Sequence, residues 1–209
     1  MRVAILGSTG KLGALLVTRA LDEGYEVQAL ARNPRKIHRA PDALTVFKGD
    51  AVTGEGLKEV LSRCSYVVSS LGSSSPVIAA CVANVIRELQ GARSLERFVF
   101  ISWIGAGDSK LQAIKTSGPL PKLNRVLHRA MFEDITNAEE LLRASTLPYV
   151  IVRPTQLTDG PITDQVVAVK ATEEPPKRVS RADIARFVVG LLQEPGWDKR
   201  EVTIGTKRR

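Results

Sequence analysis

Gly7, Gly10 and Gly13 recur at every third position in Gly7-Ser8-Thr9-Gly10-Lys11-Leu12-Gly13, directly after a short apolar run. Glycines so spaced, between a strand and a helix, suit a turn that binds phosphate. Gly7 lets the chain turn sharply, Gly10 lets backbone amides approach a pyrophosphate, and Gly13 lets the helix pack on the strand. The first helical turn then presents unpaired N–H groups and the positive end of the helix dipole to the anion. A glycine triplet alone also describes a tight turn that merely seats a helix on a sheet. Its place inside a β-α-β unit carries the argument.

A second group of residues lies about twenty positions further on, where a dinucleotide ribose is read. There the chain runs Leu30-Ala31-Arg32-Asn33-Pro34-Arg35-Lys36. No Asp or Glu is present to hold a ribose diol. Arg32 is placed to stack on an adenine and pair with a 2′-phosphate, and Arg35 or Lys36 adds to the field. This predicts NADP(H) in preference to NAD(H). Lys36 and Arg39 read more simply as solvated charges.

The elements that must position these residues alternate in type. Apolar runs predict strands at Val3–Leu6, Val27–Leu30, Thr45–Phe47, Tyr66–Ser69, Arg97–Ile101, Tyr149–Val152 and Val202–Ile204. Helical periodicity predicts helices over Lys11–Asp22, Gly56–Ser62, Val77–Leu89, Phe132–Arg143 and Ser180–Leu192. Gly24 ends the first, and Ser180 with Asp183 makes a capping pair for the last. Strands alternating with helices imply an α/β fold: a doubly wound parallel sheet of the NAD(P)-binding Rossmann kind. One domain over residues 1–209 is expected. Ligands of such sheets bind at the carboxyl ends of the strands. The loops 103–125 and 155–179 are therefore the expected substrate side, with Asp108–Pro121 as one long irregular stretch.

Composition narrows the partners. The chain has 209 residues and a formal charge of +8. Nucleic acid, an anionic membrane surface and polyanionic small molecules compete for that charge. The basic residues are scattered, with local groups at Arg32–Arg39, Lys110–Arg129 and Lys207–Arg209. No nucleic-acid-binding motif accompanies them, and only 5% of residues are aromatic, too few to interleave as stacking platforms. A solvated surface with some charge at an anionic cofactor accounts for the excess. No apolar run is long enough to span a bilayer. Cys64 and Cys81 have no metal-ligand spacing and read as small buried hydrophobes in a reducing compartment. The chain opens directly on a strand, Met1-Arg2-Val3-Ala4-Ile5-Leu6-Gly7, so a cytoplasmic location is expected. Neither a metal cluster nor a Ser-His-Asp set nor a paired-carboxylate arrangement is evident.

Taken in order, these residues resemble the atypical short-chain dehydrogenases of the NmrA-like and flavin reductase (biliverdin reductase B) group. The glycine loop, with two residues between its first glycines, is similar to that group's motif. Arg32-Asn33-Pro34 resembles its NADP-selecting turn. Gly49-Asp50 resembles the pair whose carboxylate faces adenine, which implies Asp50 and Ala51 at the base. Ser69-Ser70-Leu71-Gly72 resembles the stretch along the ribose and pyrophosphate. Phe98-Val99-Phe100-Ile101-Ser102 resembles the strand whose terminal serine lies near the nicotinamide. Ala138-Glu139-Glu140-Leu141-Leu142-Arg143-Ala144-Ser145, Tyr149-Val150-Ile151-Val152-Arg153-Pro154 and Arg181-Ala182-Asp183-Ile184-Ala185 complete the likeness over nearly the whole chain. It implies Pro154 and Thr155 beside the nicotinamide ribose. Asp50 equally suits a cap for its own turn, and Arg153 equally suits pairing with an acid beneath the site.

The catalytic pattern departs from the mainstream members, which use Tyr-x-x-x-Lys, the lysine tuning the phenol for proton transfer. The matching stretch is Phe132-Glu133-Asp134-Ile135-Thr136, with neither residue. Tyr25, Tyr66 and Tyr149 are expected on or beside core strands. Ser102 is the best remaining side-chain donor and the one catalytic candidate. The relatives' two histidines near the site match Ile135 and Gln156. Trp103 and Met131 suit an acceptor platform, or ordinary packing. His128 and His38 read as surface residues. The expectation is hydride transfer from NADPH to a flavin, quinone or similar conjugated acceptor, by a monomer or weak dimer. A non-catalytic NADP(H) sensor or assembly protein with a protein partner is the alternative. An isomerase or lyase using bound dinucleotide is a third reading.

Overall fold

A computed structural model describes residues 1–37, 41–72, 75–117 and 129–207. His38, Arg39, Ser73, Ser74, His128, Arg208, Arg209 and residues 118–125 of the first expected loop lie outside the described residues.

Ten strands are present among the described residues: β1 Arg2–Leu6, β2 Glu26–Ala31, β3 Leu44–Lys48, β4 Tyr66–Ser69, β5 Arg97–Ile101, β6 Tyr149–Pro154, β7 Leu157–Thr158, β8 Val166–Val169, β9 Val179–Ser180 and β10 Arg200–Thr206. The helices are α1 Lys11–Asp22, α2 Leu57–Leu61, α3 Ile78–Leu89, α4 Lys110–Ser117, α5 Arg129–Ala144 and α6 Arg181–Gly190. Eight strands form one sheet in the order β3-β2-β1-β4-β5-β6-β10-β8. Seven run parallel and β8 pairs antiparallel to β10 at the edge. This is the doubly wound Rossmann arrangement, with the strand order reversing between β1 and β4.

The near-continuous apolar strands follow from burial on both faces. Within β1, Val3 and Ile5 point to one side, where Leu16 and Ala20 of α1 and Ile184 and Val188 of α6 cover the sheet. Ala4 and Leu6 point to the other, under Leu57 of α2, Val82 and Val85 of α3, and Ala138 and Leu142 of α5. The period of two along a strand splits each apolar run between two cores. Cys64 and Cys81 are free and buried in the second. Burial pushes their thiols up, to about 12 and about 11. Neither is a nucleophile at neutral pH.

Two expectations are corrected. The stretch from Asp108 is not irregular: a 3-10 turn over Gly107–Ser109 runs into α4. Ser109 Oγ accepts from Gly105 N and donates to Ala106 O, which closes the turn, and Gln112 anchors α4 by donating to Lys170 O and Glu173 O. These anchors come from polar side chains, so apolar periodicity is a poor guide there. Residues 155–179 likewise contain β7, β8 and the start of β9. The β-branched stretch Val166-Val167-Ala168-Val169 forms the edge strand that the loop assignment passed over. No helix among the described residues is long and apolar enough to cross a membrane.

Candidate functional site

The cleft lies at the carboxyl edge of the sheet, where the loops after β1, β2, β3, β4, β5 and β6 converge. Its centre is the turn between β1 and α1. Gly7 has φ +82°, a conformation that L side chains rarely adopt. A Cβ there would also lie 2.9 Å from the Ser70 backbone, so the loops after β1 and β4 touch. A Cβ on Gly13 would lie 2.0 Å from Gly7 O, which is the close helix-to-strand approach expected of the third glycine. Gly10 differs: a Cβ there meets only Gly7 O, at 3.3 Å, and its outer side is open.

Gly10 is the N-cap of α1, with no side-chain cap and no acidic residue in the first turn. The N–H groups of that turn therefore have no side-chain acceptor. The starts of α3 and α6 are served. Asp134 of α5 accepts from Ile78 N and Ala79 N at the start of α3, at 2.7 and 3.3 Å. Ser180 accepts from Asp183 N at the start of α6. The vacant donors of α1 fit an anion, as a dinucleotide pyrophosphate is.

On the β2 side, Asn33 Oδ1 accepts from Arg35 N at 3.2 Å and caps a 3-10 turn over Pro34–Lys36. That turn displays Arg32 and Arg35, both exposed, and neither has an ion pair among the described residues. Asp50, after β3, uses Oδ1 to accept from Val52 N at 2.9 Å, so it does cap its own turn. Asn84 of α3 holds that turn from below, donating to Ala51 O and Val52 O at 3.0 and 2.9 Å. Arg32 and Asp50 are thus presented on one side of the glycine loop, and Ser70, Leu71 and Gly72 beside it, whereas the Ala51 side chain is buried in the second core.

Several hydroxyls expected to face a ligand are directed elsewhere. Ser8 is buried and donates to Leu30 O at 2.9 Å, tying the loop to β2. Ser70 Oγ donates to Leu6 O at 3.1 Å. Thr155 is buried and donates to Lys177 O at 2.5 Å. Lys11 Nζ reaches Asp159 Oδ2 at 3.1 Å, and Asp159 also accepts from Arg181. The hydrogen bond from Lys11 is the main reason that the Asp159 carboxyl is held below its ordinary value. This pair links the glycine loop to the 155–179 segment. Thr9 and Leu12 complete the loop, Leu12 packing against the first core.

Beyond Gly72, the cleft continues into an apolar pocket over the ends of β4 and β5. Leu71, Ile78, Phe100, Trp103 and Ile135 line it, with Ser102 at its floor. Trp103 packs edge-on against Phe132 with ring centroids 6.1 Å apart. Met131 is buried in the second core, which favours packing over an acceptor platform. Gln156 is exposed, and its backbone carbonyl accepts from Val179 N. Thr136, at the position of the missing lysine, donates to Phe132 O. The three tyrosines of the chain are far from this pocket. Tyr66 and Tyr149 open their strands and Tyr25 precedes β2, so all three sit at the amino edge of the sheet.

Ser102 was expected to be the remaining donor, but its proton is engaged. Its Oγ donates to Glu139 Oε1 at 2.7 Å. Glu139 of α5 is fully buried and accepts a two-pronged pair from Arg153, at 2.7 Å on each oxygen. Arg143 adds a bond to Glu139 Oε2 at 3.0 Å, and Glu201 of β10 accepts from both arginines at 2.7 Å. Arg153 Nη1 lies 2.9 Å from Asp108 Oδ1, but at an angle too poor for a hydrogen bond. Burial alone raises the Glu201 carboxyl. The hydrogen bond from Arg143 and the charges of Arg153 and Arg143 outweigh it and hold the group below its ordinary value. Arg153 therefore does pair with acid beneath the site. Glu139, Glu201, Asp134 and Asn84 were missed as site residues. A signal existed for Glu139, which stands four before Arg143 in helical register. None existed for the others, whose partners are distant in sequence.

Comparison with known proteins agrees with this fold. Over 210 aligned residues the chain is 29% identical to the photosystem II assembly factor Ycf39 of Cyanophora paradoxa. That alignment covers 92% of this chain and 59% of the relative, so the chain spans less than two thirds of its length. The fold is similar to that of ChuY, an anaerobilin reductase from Escherichia coli, with a TM-score of 0.83 and 24% identity over 98% of this chain and 96% of that one. It is also similar to a short-chain dehydrogenase/reductase of Veillonella parvula in complex with NADP, with a TM-score of 0.76 and 18% identity over 98% and 94% of the two chains. Residues 7–195 match the family described as NAD(P)H-binding, from the first glycine of the loop to the turn after α6, and the chain belongs to that family.

Proposed function

We propose that the chain is an NADPH-dependent oxidoreductase that passes hydride to a small conjugated acceptor, such as a flavin or quinone, without a protein acid. The observation that carries this reading is the pocket beyond Gly72. Among the described residues its walls are largely apolar, the side-chain hydroxyl there, on Ser102, already donates to Glu139, and the tyrosines stand at the opposite edge of the sheet. Such a surface can border a flat acceptor laid against it and keep water off that face, and none of the described side chains lining it can protonate an alkoxide. A conjugated acceptor needs no such acid, because the electrons delocalise and the proton comes from solvent.

Gly7, Gly10 and Gly13 with the first turn of α1 would hold the pyrophosphate. Arg32, with Arg35 near it, would pair with the 2′-phosphate, which selects NADPH over NADH. Asp50 and Ala51 would border the adenine, Ser70–Gly72 the ribose and pyrophosphate, and Ser102, Pro154 and Thr155 the nicotinamide end. The bound cofactor supplies the hydride; the chain supplies placement, a dry wall and a fixed field.

The test is the absorbance of reduced nicotinamide, followed with purified protein and NADPH in the presence of FMN, riboflavin, a simple quinone or no acceptor. Acceptor-dependent loss of NADPH that disappears in Gly10→Val is the expected result. Tight binding with no turnover on any acceptor would sink the reading and favour the second one, a dinucleotide-binding assembly or regulatory protein. That alternative draws support from the assembly-factor relative and from α4, where Leu111 and Ile114 are 71% and 52% exposed.

A further inference from the structure

We propose that Ser102 meets the cofactor as a hydrogen-bond acceptor, locked in that polarity by Glu139, so that the site selects a nicotinamide ring carrying an amide N–H donor. The inference rests on the cleft being the dinucleotide site and deepens that reading by assigning what the buried ion network does for it.

A hydroxyl has one proton and two lone pairs, and a guanidinium has donors only. Glu139 Oε1 accepts from Arg153 Nε, and Oε2 accepts from Arg153 Nη2 and Arg143 Nη2. Neither oxygen has room for a proton of its own between those donors. In the contact between Ser102 and Glu139, only Ser102 can donate. Its proton is therefore turned away from the pocket, and lone pairs remain for a ligand.

Among the described residues the wall next to Ser102 is apolar, and the other donor side chain lining the pocket is the half-exposed indole of Trp103. Ser102 is 1% exposed, and its own N–H donates to Val152 O within the sheet at 2.8 Å. Leu71, Ile78, Phe100 and Ile135 around it are apolar. The neighbouring hydroxyl at the end of β6, on Thr155, donates to Lys177 O. A ligand carbonyl set against Ser102 would place lone pair against lone pair in an apolar enclosure, whereas an N–H would be satisfied.

The source of that N–H follows from the order of the strands. Arg32 and Asp50 stand after β2 and β3, on one side of the glycine loop. A dinucleotide with its adenosine there must extend its other half over β4, β5 and β6, which brings the ring to the floor formed by Ser102. The 3-carboxamide is the N–H donor of that ring.

The test compares affinities for NADP⁺ and its 3-acetylpyridine analogue, in which a methyl ketone replaces the carboxamide. Calorimetric titration reads binding without turnover. The native chain is expected to bind NADP⁺ tighter by about 3- to 10-fold, the worth of one neutral hydrogen bond. In Ser102→Ala, which leaves the pairs of Glu139 with the arginines in place, the ratio should fall to about one. In Glu139→Gln, an amide can donate to Ser102 and turn its proton into the pocket, so the ratio should fall to one or below. A merely structural role for Glu139 would weaken both nucleotides alike. Should the Gln variant fail to fold, Ser102→Ala decides alone. An unchanged ratio in Ser102→Ala, or a native preference for the acetyl compound, overturns the proposal. Binding of neither nucleotide to the native chain overturns it together with the cleft itself.

Discussion

Asp134 of α5 caps a helix to which it does not belong: its Oδ2 accepts from Ile78 N at 2.7 Å, at the first residue of α3. The carboxylate is nearly buried between the two helices and also accepts from Ala79 N. A negative group thus occupies the positive end of α3 right beside the pocket. α1, whose first turn has neither a side-chain cap nor an acidic residue, is left open to an anion. The cleft is polarised toward the glycine loop by supplying a cap at one helix and withholding it at the other.

Asp134→Ala should cost about 0.5–2 kcal/mol of stability, the usual worth of a helix cap. Asp134→Asn keeps one oxygen acceptor and should cost less. Urea unfolding at constant m-value checks both. An unaltered midpoint in the alanine variant would show that the cap contributes nothing.

The three glycines of the loop should not respond alike. Gly10→Val places its side chain in the open space before α1, at an extended backbone (φ −78°, ψ 163°) that valine adopts easily. It should fold with a loss of no more than about 1 kcal/mol and bind no dinucleotide. Gly13→Val drives a side chain into the Gly7 carbonyl, 2.0 Å from where its Cβ would sit, and should unfold or lose the α1 docking. Circular dichroism melts beside NADPH titrations separate the outcomes. Retained binding in the Gly10 variant removes the phosphate-loop assignment.

Arg32→Asp should invert the cofactor preference. It removes a charged hydrogen bond to a 2′-phosphate, worth about 1.5–3 kcal/mol, and offers a carboxylate to a ribose diol instead. NADPH affinity should fall by roughly 10- to 100-fold while NADH binding improves. A change in NADPH affinity within about twofold, well under that charged-bond range, would end the claim of selectivity.

The network under Ser102 should show itself in acid. The Glu201 carboxyl is held below its ordinary value in the folded chain, so its contribution is complete above the ordinary carboxylate range. It is lost as the pH falls below that range and through the folded value. Glu201→Gln should therefore be less stable than the native chain at neutral pH, and the gap should narrow below about pH 4. Arg153→Ala, which strands Glu139 without its buried partner, should cost about 3–5 kcal/mol. Unfolding midpoints across the pH range check the first, and a gap that is constant with pH would refute it.

Much of the architecture was legible in local pattern. The glycine loop, the apolar strands and the helical stripes each lie within about a dozen residues, and the two-residue and 3.6-residue periods report burial directly. The absence of Tyr and Lys at Phe132 and Thr136 was equally plain. The edge strand β8 was missed because its apolar residues lie in a stretch dominated by turn-forming and charged ones. α4 was missed because Ser109 and Gln112, rather than an apolar stripe, hold it in place.

The sequence by itself determined which residue types reach the carboxyl edge of the sheet. The tertiary structure decided which way their hydrogen bonds run. Ser8, Ser102 and Thr155 are hydroxyls on paper, free to donate or accept, and each finds its acceptor across 22 or 37 residues of chain. Asp134 finds its donor 56 residues away. Local periodicity reports how deeply a side chain is buried. The direction of a proton depends on which other polar group packing brings within 3 Å, and in this chain that partner lies on another element.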